Sequence, residues 1–257
     1  MVAYPNPRLI STFKSFSNYA SITVLVIGVL VLCGWIFDIP VLRGGIVGFT
    51  TMKGNTAIAF ILAGVALLLG NHETVSNFSR YVRFSCILII ILLGLFTLSE
   101  YVFNWDLGID QLLIKDKLAF ENEYPGRLSP VTSVNFCLLG LALLILDLRQ
   151  YRWLVEPFCI TALIISVLAL MGYIYEVPSL YQFFSYSSMA MHTALTFSIM
   201  SAGILFARPD QGLMKLFSSD KIGGVMVRRL VPGAIALPIL LGWLLLRATN
   251  GVVRQHI

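Results

Sequence analysis

A short polar start followed by a long apolar run occurs three times in this chain, and that repeat limits the fold more than any other feature. Met189 to Phe206, MAMHTALTFSIMSAGILF, reads as one apolar helix with a histidine and two threonines near its start. Met52 to Phe60 and Leu128 to Phe136 are earlier versions, each followed by a glycine (Gly64, Gly140) and a leucine run. The copies align Met52, Leu128 and Met189, then Asn55, Val131 and His192. Thr56, Thr132 and Thr193 follow, and then Phe60, Phe136 and Phe197.

The helices between these copies repeat as well. Gly34-Trp-Ile-Phe-Asp38, Glu100-Tyr-Val-Phe-Asn104 and Gly172-Tyr-Ile-Tyr-Glu176 share an aromatic, any residue, an aromatic, then an acid or amide. Their first aromatics, Trp35, Tyr101 and Tyr173, lie 66 and then 72 residues apart, and Gly242-Trp243 begins the frame again. The chain therefore reads as three helical hairpins plus the first half of a fourth.

The solvent for these helices is a bilayer. Charged residues make up 12% of the chain and apolar residues 58%, against about 25% charged in a soluble domain. The mean hydropathy is +0.85. Apolar segments run over Ala20–Phe37, Asn55–Gly70, Val82–Phe103, Val131–Leu148, Leu154–Tyr175, Met189–Ala207 and Leu230–Leu246. Most approach the ~20 residues that a spanning helix needs. The expected fold is an all-α, polytopic transmembrane bundle of seven helices. A polar cytoplasmic arm is expected over residues 1–17, the membrane domain over 18–250 and a short tail over 251–257. The first segment reads as a retained anchor, because no small-x-small cleavage site follows it and Leu32 before Cys33 spoils a lipobox.

Loop charges set the orientation. Eleven Lys and Arg fall on the side of the N-terminal arm and seven on the other, which places the N-terminus inside. The net charge of +5 is spread over loops with no basic run, so nucleic acid is not an expected partner. The four cysteines lie in apolar segments without a CxxC pair, which argues against zinc or redox chemistry.

The second hairpin has the longest outer loop, Asp106 to Arg127, with five carboxylates. Loops of this length usually carry function or are disordered. The repeat brings the aromatic helix ends beside the polar helix starts in the outer leaflet, where aromatic walls and a few polar groups describe a small-ligand pocket. Candidate ligand-binding residues are His192, Glu100, Asn55, Tyr101, Tyr173, Trp35, Glu176 and Arg127. Glu100 is an ionisable group about one turn inside a membrane helix, a costly placement. His192 is the only histidine of a membrane segment. For the aromatic and polar helix ends an aromatic belt or a helix cap is the competing explanation; for Glu100 it is snorkelling to the outer interface, and for His192 a satisfied interfacial histidine.

No core segment holds a lysine for a retinal Schiff base, and no second membrane histidine exists for a bis-histidine haem. Phosphate-loop, GxSxG and HExxH motifs are absent, so no enzyme is expected, no catalytic residue or metal ligand is assigned, and no cofactor is identified.

The most specific stretch is Gly172-Tyr-Ile-Tyr-Glu-Val-Pro-Ser-Leu-Tyr181 with Ser188-Met-Ala-Met-His-Thr-Ala194. It continues through Arg208-Pro-Asp-Gln-Gly-Leu-Met214, Arg228-Arg-Leu-Val-Pro232 and Leu241-Gly-Trp243. It resembles the multi-spanning N-terminal sensor region of bacterial membrane-bound histidine kinases and diguanylate cyclases. The resemblance implies a sensor or input module of the bacterial inner membrane, as in two-component systems, followed by cytoplasmic kinase or cyclase output domains. In that family an eighth helix commonly leads to the output domains. This sequence stops at Ile257 without one, which implies a fragment or a short natural form. The alternative function is an accessory subunit of a larger membrane complex. Expected partners are the lipid bilayer, the output domains or such a complex, and a second copy of the chain.

Overall fold

The computed structural model describes residues 6–44, 50–72, 76–112, 114–116, 124–175, 177, 188–230, 233, 237 and 242. Among them there is no strand, and the helices are α1 (Pro7–Ile36), α2 (Gly54–Asn71), α3 (Asn77–Phe103), α4 (Pro130–Ile145), α5 (Val155–Ile174), α6 (Met191–Leu205) and the short α7 (Gly212–Phe217). Turns of 3₁₀ helix precede α2 at Pro40–Arg43 and α5 at Arg149–Leu154. Among the described residues four helices are long and apolar enough to cross a membrane, and α4 and α6 are shorter apolar helices. The chain is an all-α bundle built as a membrane protein is built.

The six large helices close into a ring of three hairpins. α1 packs on α2, α3 on α4 and α5 on α6; between hairpins α2 meets α3, α4 meets α5 and α6 meets α1. The even helices also touch one another and form the inner layer. At its centre Phe60, Phe136 and Phe197 meet, with ring centroids 5.0, 4.7 and 4.7 Å apart; Phe197 meets each of the others edge to face, and Phe60 and Phe136 are tilted. Such pairs contribute about 0.5–1.5 kcal/mol each beyond the area they bury. The three rings are the same position of the sequence repeat, so the axis of the bundle is the axis of the repeat. Thr56, Thr132 and Thr193 are buried one turn before the rings, and Leu67, Leu143 and Ile204 two turns after them.

The outer helices are half-covered. Val26, Val29 and Leu30 on α1, and Leu88, Leu92 and Leu95 on α3, are exposed, as lipid-facing residues would be. Their inward faces use small residues for close approach. A Cβ on Gly28 would stand 2.8 Å from the Ala57 carbonyl, and one on its repeat partner Gly94 2.8 Å from the Ser133 carbonyl. In the third hairpin that position is Ser166, whose hydroxyl accepts from Asn135 Nδ2 at 3.1 Å and donates to the Ala162 carbonyl.

The bundle has two ends. At the distal end, where α1 gives way to α2, each repeated aromatic donates to the first residue of the following even-helix repeat. Trp35 Nε1 reaches the Met52 carbonyl at 2.9 Å, the Tyr101 hydroxyl reaches Leu128 at 3.0 Å, and the Tyr173 hydroxyl reaches Met189 at 2.6 Å. Asp38 and Asn104 take left-handed backbone conformations, φ 56° and 51°. Acid and amide side chains tolerate that region best after glycine. After α1 the Ile39 amide bonds back to the Gly34 carbonyl, and after α5 Val177 bonds to Gly172, the 6→1 closure of a Schellman cap. The acid-or-amide position of the frame is thus a helix terminator in the first two hairpins. In the third, Glu176 lies outside the described residues.

Two boundaries differ from the sequence expectation. α1 begins at Pro7 instead of near Ala20, so much of the expected arm is helical. The Asn6 side chain accepts from the Arg8 amide and Pro7 occupies the first turn; a helix starts at its cap, whereas hydropathy marks only where lipid starts. The chain beyond α7 is helical over 222–230 and at 233, 237 and 242. The rest of the expected seventh segment lies outside the described residues.

Candidate functional site

The distal end of the second hairpin holds a buried charge cluster. Glu100 is 0% exposed and Arg127 2%. Arg127 Nε lies 2.6 Å from Asp110 Oδ2 and 3.3 Å from Glu100 Oε2, and its Nη2 lies 3.9 Å from Asp106 Oδ1. The guanidinium sits over the Tyr124 ring at 4.1 Å and the Tyr101 ring at 5.5 Å. The other Glu100 oxygen accepts from the Leu107 amide at 2.9 Å. The loop after α3 therefore folds back over the helix end and is held by the carboxylate that the end carries.

The first hairpin joins the cluster from the side. Asn55 Nδ2 donates to the carbonyls of Ile109 at 3.2 Å and Asp110 at 2.8 Å. Lys53 Nζ pairs with Asp116 at 2.8 Å, and Asp116 also accepts from the Gly126 amide. Burial raises the Asp110 carboxyl above the ordinary carboxylate range; Arg127 offsets part of this and Asp106 adds to it. Carboxylate oxygens of Glu100, Asp106 and Asp110 come within 4.8 Å of one another. The Arg127 guanidinium already sits against all three, so they form a guanidinium site.

Four of the eight sequence candidates thus assemble: Glu100, Tyr101, Arg127 and Asn55. Trp35 and Tyr173 stand at their own hairpins, with their polar atoms engaged in the carbonyl bonds described above. Trp35 also lies under a guanidinium, that of the buried Arg43, at 5.1 Å. His192 lies apart from the cluster. It lines an apolar groove of about 310 Å³ between α1 and α6 with Ile27, Val31, Leu42 and Leu195, and its Nε2 is buried without a hydrogen-bond partner among the described residues. A side chain on Gly44, which has φ +81°, would overlap its ring. Sequence reasoning counted Asp110 among the loop carboxylates and singled it out no further; its alignment with Arg127 depends on a turn that no spacing announces.

The proximal end, where α1 begins, has a second network that the sequence reading passed over. Asp147, two residues beyond α4, accepts from Arg83 and from Arg208 Nη2, the latter at 2.7 Å. Arg83 also reaches the Leu143 carbonyl at 3.1 Å and Arg208 the Gly70 carbonyl at 3.0 Å. Burial alone would raise the Asp147 carboxyl, but the two guanidinium groups outweigh it and hold it below the ordinary range. In the first hairpin the matching positions are Ser17 and Asn71, joined by a neutral hydrogen bond of 2.9 Å. The missed signal was the repeat itself, in which Asn71, Asp147 and Arg208 share one frame position. No protein-family model, curated protein or solved structure matches this chain.

Proposed function

We infer that the chain is a membrane-embedded input module of a bacterial signalling protein, with the Glu100–Arg127 cluster as its receptive element. One observation carries this reading. Glu100 occupies the frame position of Gly34 and Gly172, so the other two hairpins make the aromatic-to-carbonyl bond of this helix end without a carboxylate there. A buried carboxylate in a membrane helix is expensive, and one that the shared frame does not require points to a use of its own in the second hairpin. Three carboxylates against one guanidinium leave the cluster net negative, which favours a ligand with positive charge approaching from the distal face.

The cluster is also a joint. Asn55 and Lys53 fasten the start of α2 to the loop that Glu100 and Arg127 fasten to α3. A ligand that binds one arrangement of this joint better than another shifts the population between them, by no more than its difference in affinity. The displacement of α2 against α3 reaches the proximal end through Asn71, Arg83 and Asp147, beside the loops from which a kinase or cyclase domain would be driven. The inner bacterial membrane, with a cytoplasmic N-terminus, is the location that goes with this reading.

The test is a fusion of the chain to a kinase or cyclase output, read in membranes. Glu100→Gln should alter basal output and flatten its response to extracytoplasmic conditions. An output indistinguishable from wild type, with normal membrane levels, would remove Glu100 from signalling. Loss of a co-purifying membrane partner in the same variant would favour an accessory subunit instead.

A further inference from the structure

The proximal end carries two adjoining cavities of opposite character. One, of about 660 Å³, is lined by Lys14, Arg83, Arg152 and Arg208 against only two carboxylates, Asp147 and Asp210. The other, of about 510 Å³, has a wall of Leu146, Val155, Ile204 and Leu205 beside the exposed Trp153. Arg152, Arg208 and Gln211 line both, so the two chambers share a boundary. Glu156 also lines the apolar one, where its Oε1 already accepts from the Leu213 amide.

The guanidinium groups of these chambers are not equivalent. Arg83 and Arg208 are committed to Asp147 and to backbone carbonyls. Arg152 enters no ion pair among the described residues, and its Nε is buried without a hydrogen-bond partner. A half-buried guanidinium in that state lacks an acceptor, and the geometry that suits it best is a bidentate oxyanion. The apolar wall beside it, at the depth where an exposed tryptophan marks a membrane interface, suits a hydrocarbon chain.

We propose that these chambers form one site for an anionic phospholipid, with its phosphate against Arg152 and an acyl chain along Leu146, Ile204 and Leu205. Basic pockets between spanning helices are the physical form such recognition takes. The assignment rests on the chain being a membrane protein and not on the input-module reading. A soluble organic phosphate shares the headgroup chemistry but has no use for the apolar chamber.

The full chain in a neutral detergent is titrated with phosphatidylglycerol or phosphatidylcholine of matched acyl chains, and bound lipid is counted by native mass spectrometry. Wild type should prefer phosphatidylglycerol by about fivefold or more, the worth of one basic contact at such a surface. Arg152→Gln should abolish the preference. Arg80→Gln, on the same face but outside both chambers, should keep it. Leu205→Trp, which fills the apolar chamber and leaves Arg152 in place, should lose the lipid, and decides the matter if Arg152→Gln fails to fold. An undiminished preference in Arg152→Gln, or an equal loss in Arg80→Gln, overturns the proposal. Competition by glycerol phosphate at concentrations equal to the lipid also overturns it, in favour of a soluble phosphate.

Discussion

The first and second hairpins share one plan and differ mainly in charge. Gly34 becomes Glu100 at the distal end, and the Ser17–Asn71 hydrogen bond becomes the Arg83–Asp147 ion pair at the proximal end. Both hairpins place an aromatic on a backbone carbonyl and a guanidinium over that aromatic, Arg43 over Trp35 and Arg127 over Tyr101. Among the described residues Arg43, however, pairs with Asp38, an exposed residue, while Arg127 is buried among carboxylates. What the two have in common is what the fold needs. What the second adds is a set of buried charges whose stability contribution depends on their remaining together, because each was taken out of water.

The largest expected effect follows from that difference. Arg127→Ala leaves Glu100 and Asp110 buried and uncompensated and should destabilise the protein by about 3–5 kcal/mol, read as a fall in the unfolding midpoint in detergent. Replacing Glu100 by glycine in the same chain, which copies the first hairpin, should recover much of the loss. No recovery would mean that the cluster is structural in a way the first hairpin is not. Next come the shared rings. Phe60→Ala, Phe136→Ala and Phe197→Ala should each cost about 3 kcal/mol. Unequal costs, with one near zero, would break the threefold equivalence of the core.

The repeat gives Phe60, Phe136 and Phe197 one frame position, and the structure sets that position on the bundle axis three times. The repeat also brought Glu100, Tyr101 and Asn55 to one end of the bundle. It did not separate His192 from them. Position 192 aligns with Asn55, but what α6 meets across the hairpin boundary is the first hairpin, whose turn after α1 presents Leu42 and Gly44 to His192 where the loop after α3 presents Ile109 and Asp110 to Asn55. Sequence alignment gives height along the axis and is silent on which face a loop covers. The helix ends were legible as caps, and Asp38 and Asn104 serve as left-handed terminators.

Smaller effects test the aromatic bonds. Tyr101→Phe and Tyr173→Phe each remove one hydroxyl from a buried carbonyl and should cost about 1 kcal/mol, with similar values in the two hairpins. Phenylalanine keeps the ring under Arg127, so a much larger loss for Tyr101 would show that its hydroxyl, and not only its ring, supports the cluster.

The finest distinction is between two carboxylates at opposite ends of the second hairpin. Asp110 holds its proton more tightly in the folded chain than in the unfolded one, since burial raises it. Its contribution to stability is therefore present below about pH 4, the unfolded value, and is lost as the pH rises through the raised folded value. Asp147 is the reverse, held low by Arg83 and Arg208 against its own burial. Its contribution is present above about pH 4 and disappears as the pH falls through the lowered folded value. Unfolding midpoints measured from pH 7 to pH 3 should show the gap between wild type and Asp110→Asn moving in favour of wild type on acidification. The gap between wild type and Asp147→Asn should move against it. If both gaps move the same way, the two ends of the hairpin share one electrostatic environment, and the division between a desolvated distal carboxylate and a clamped proximal one is lost.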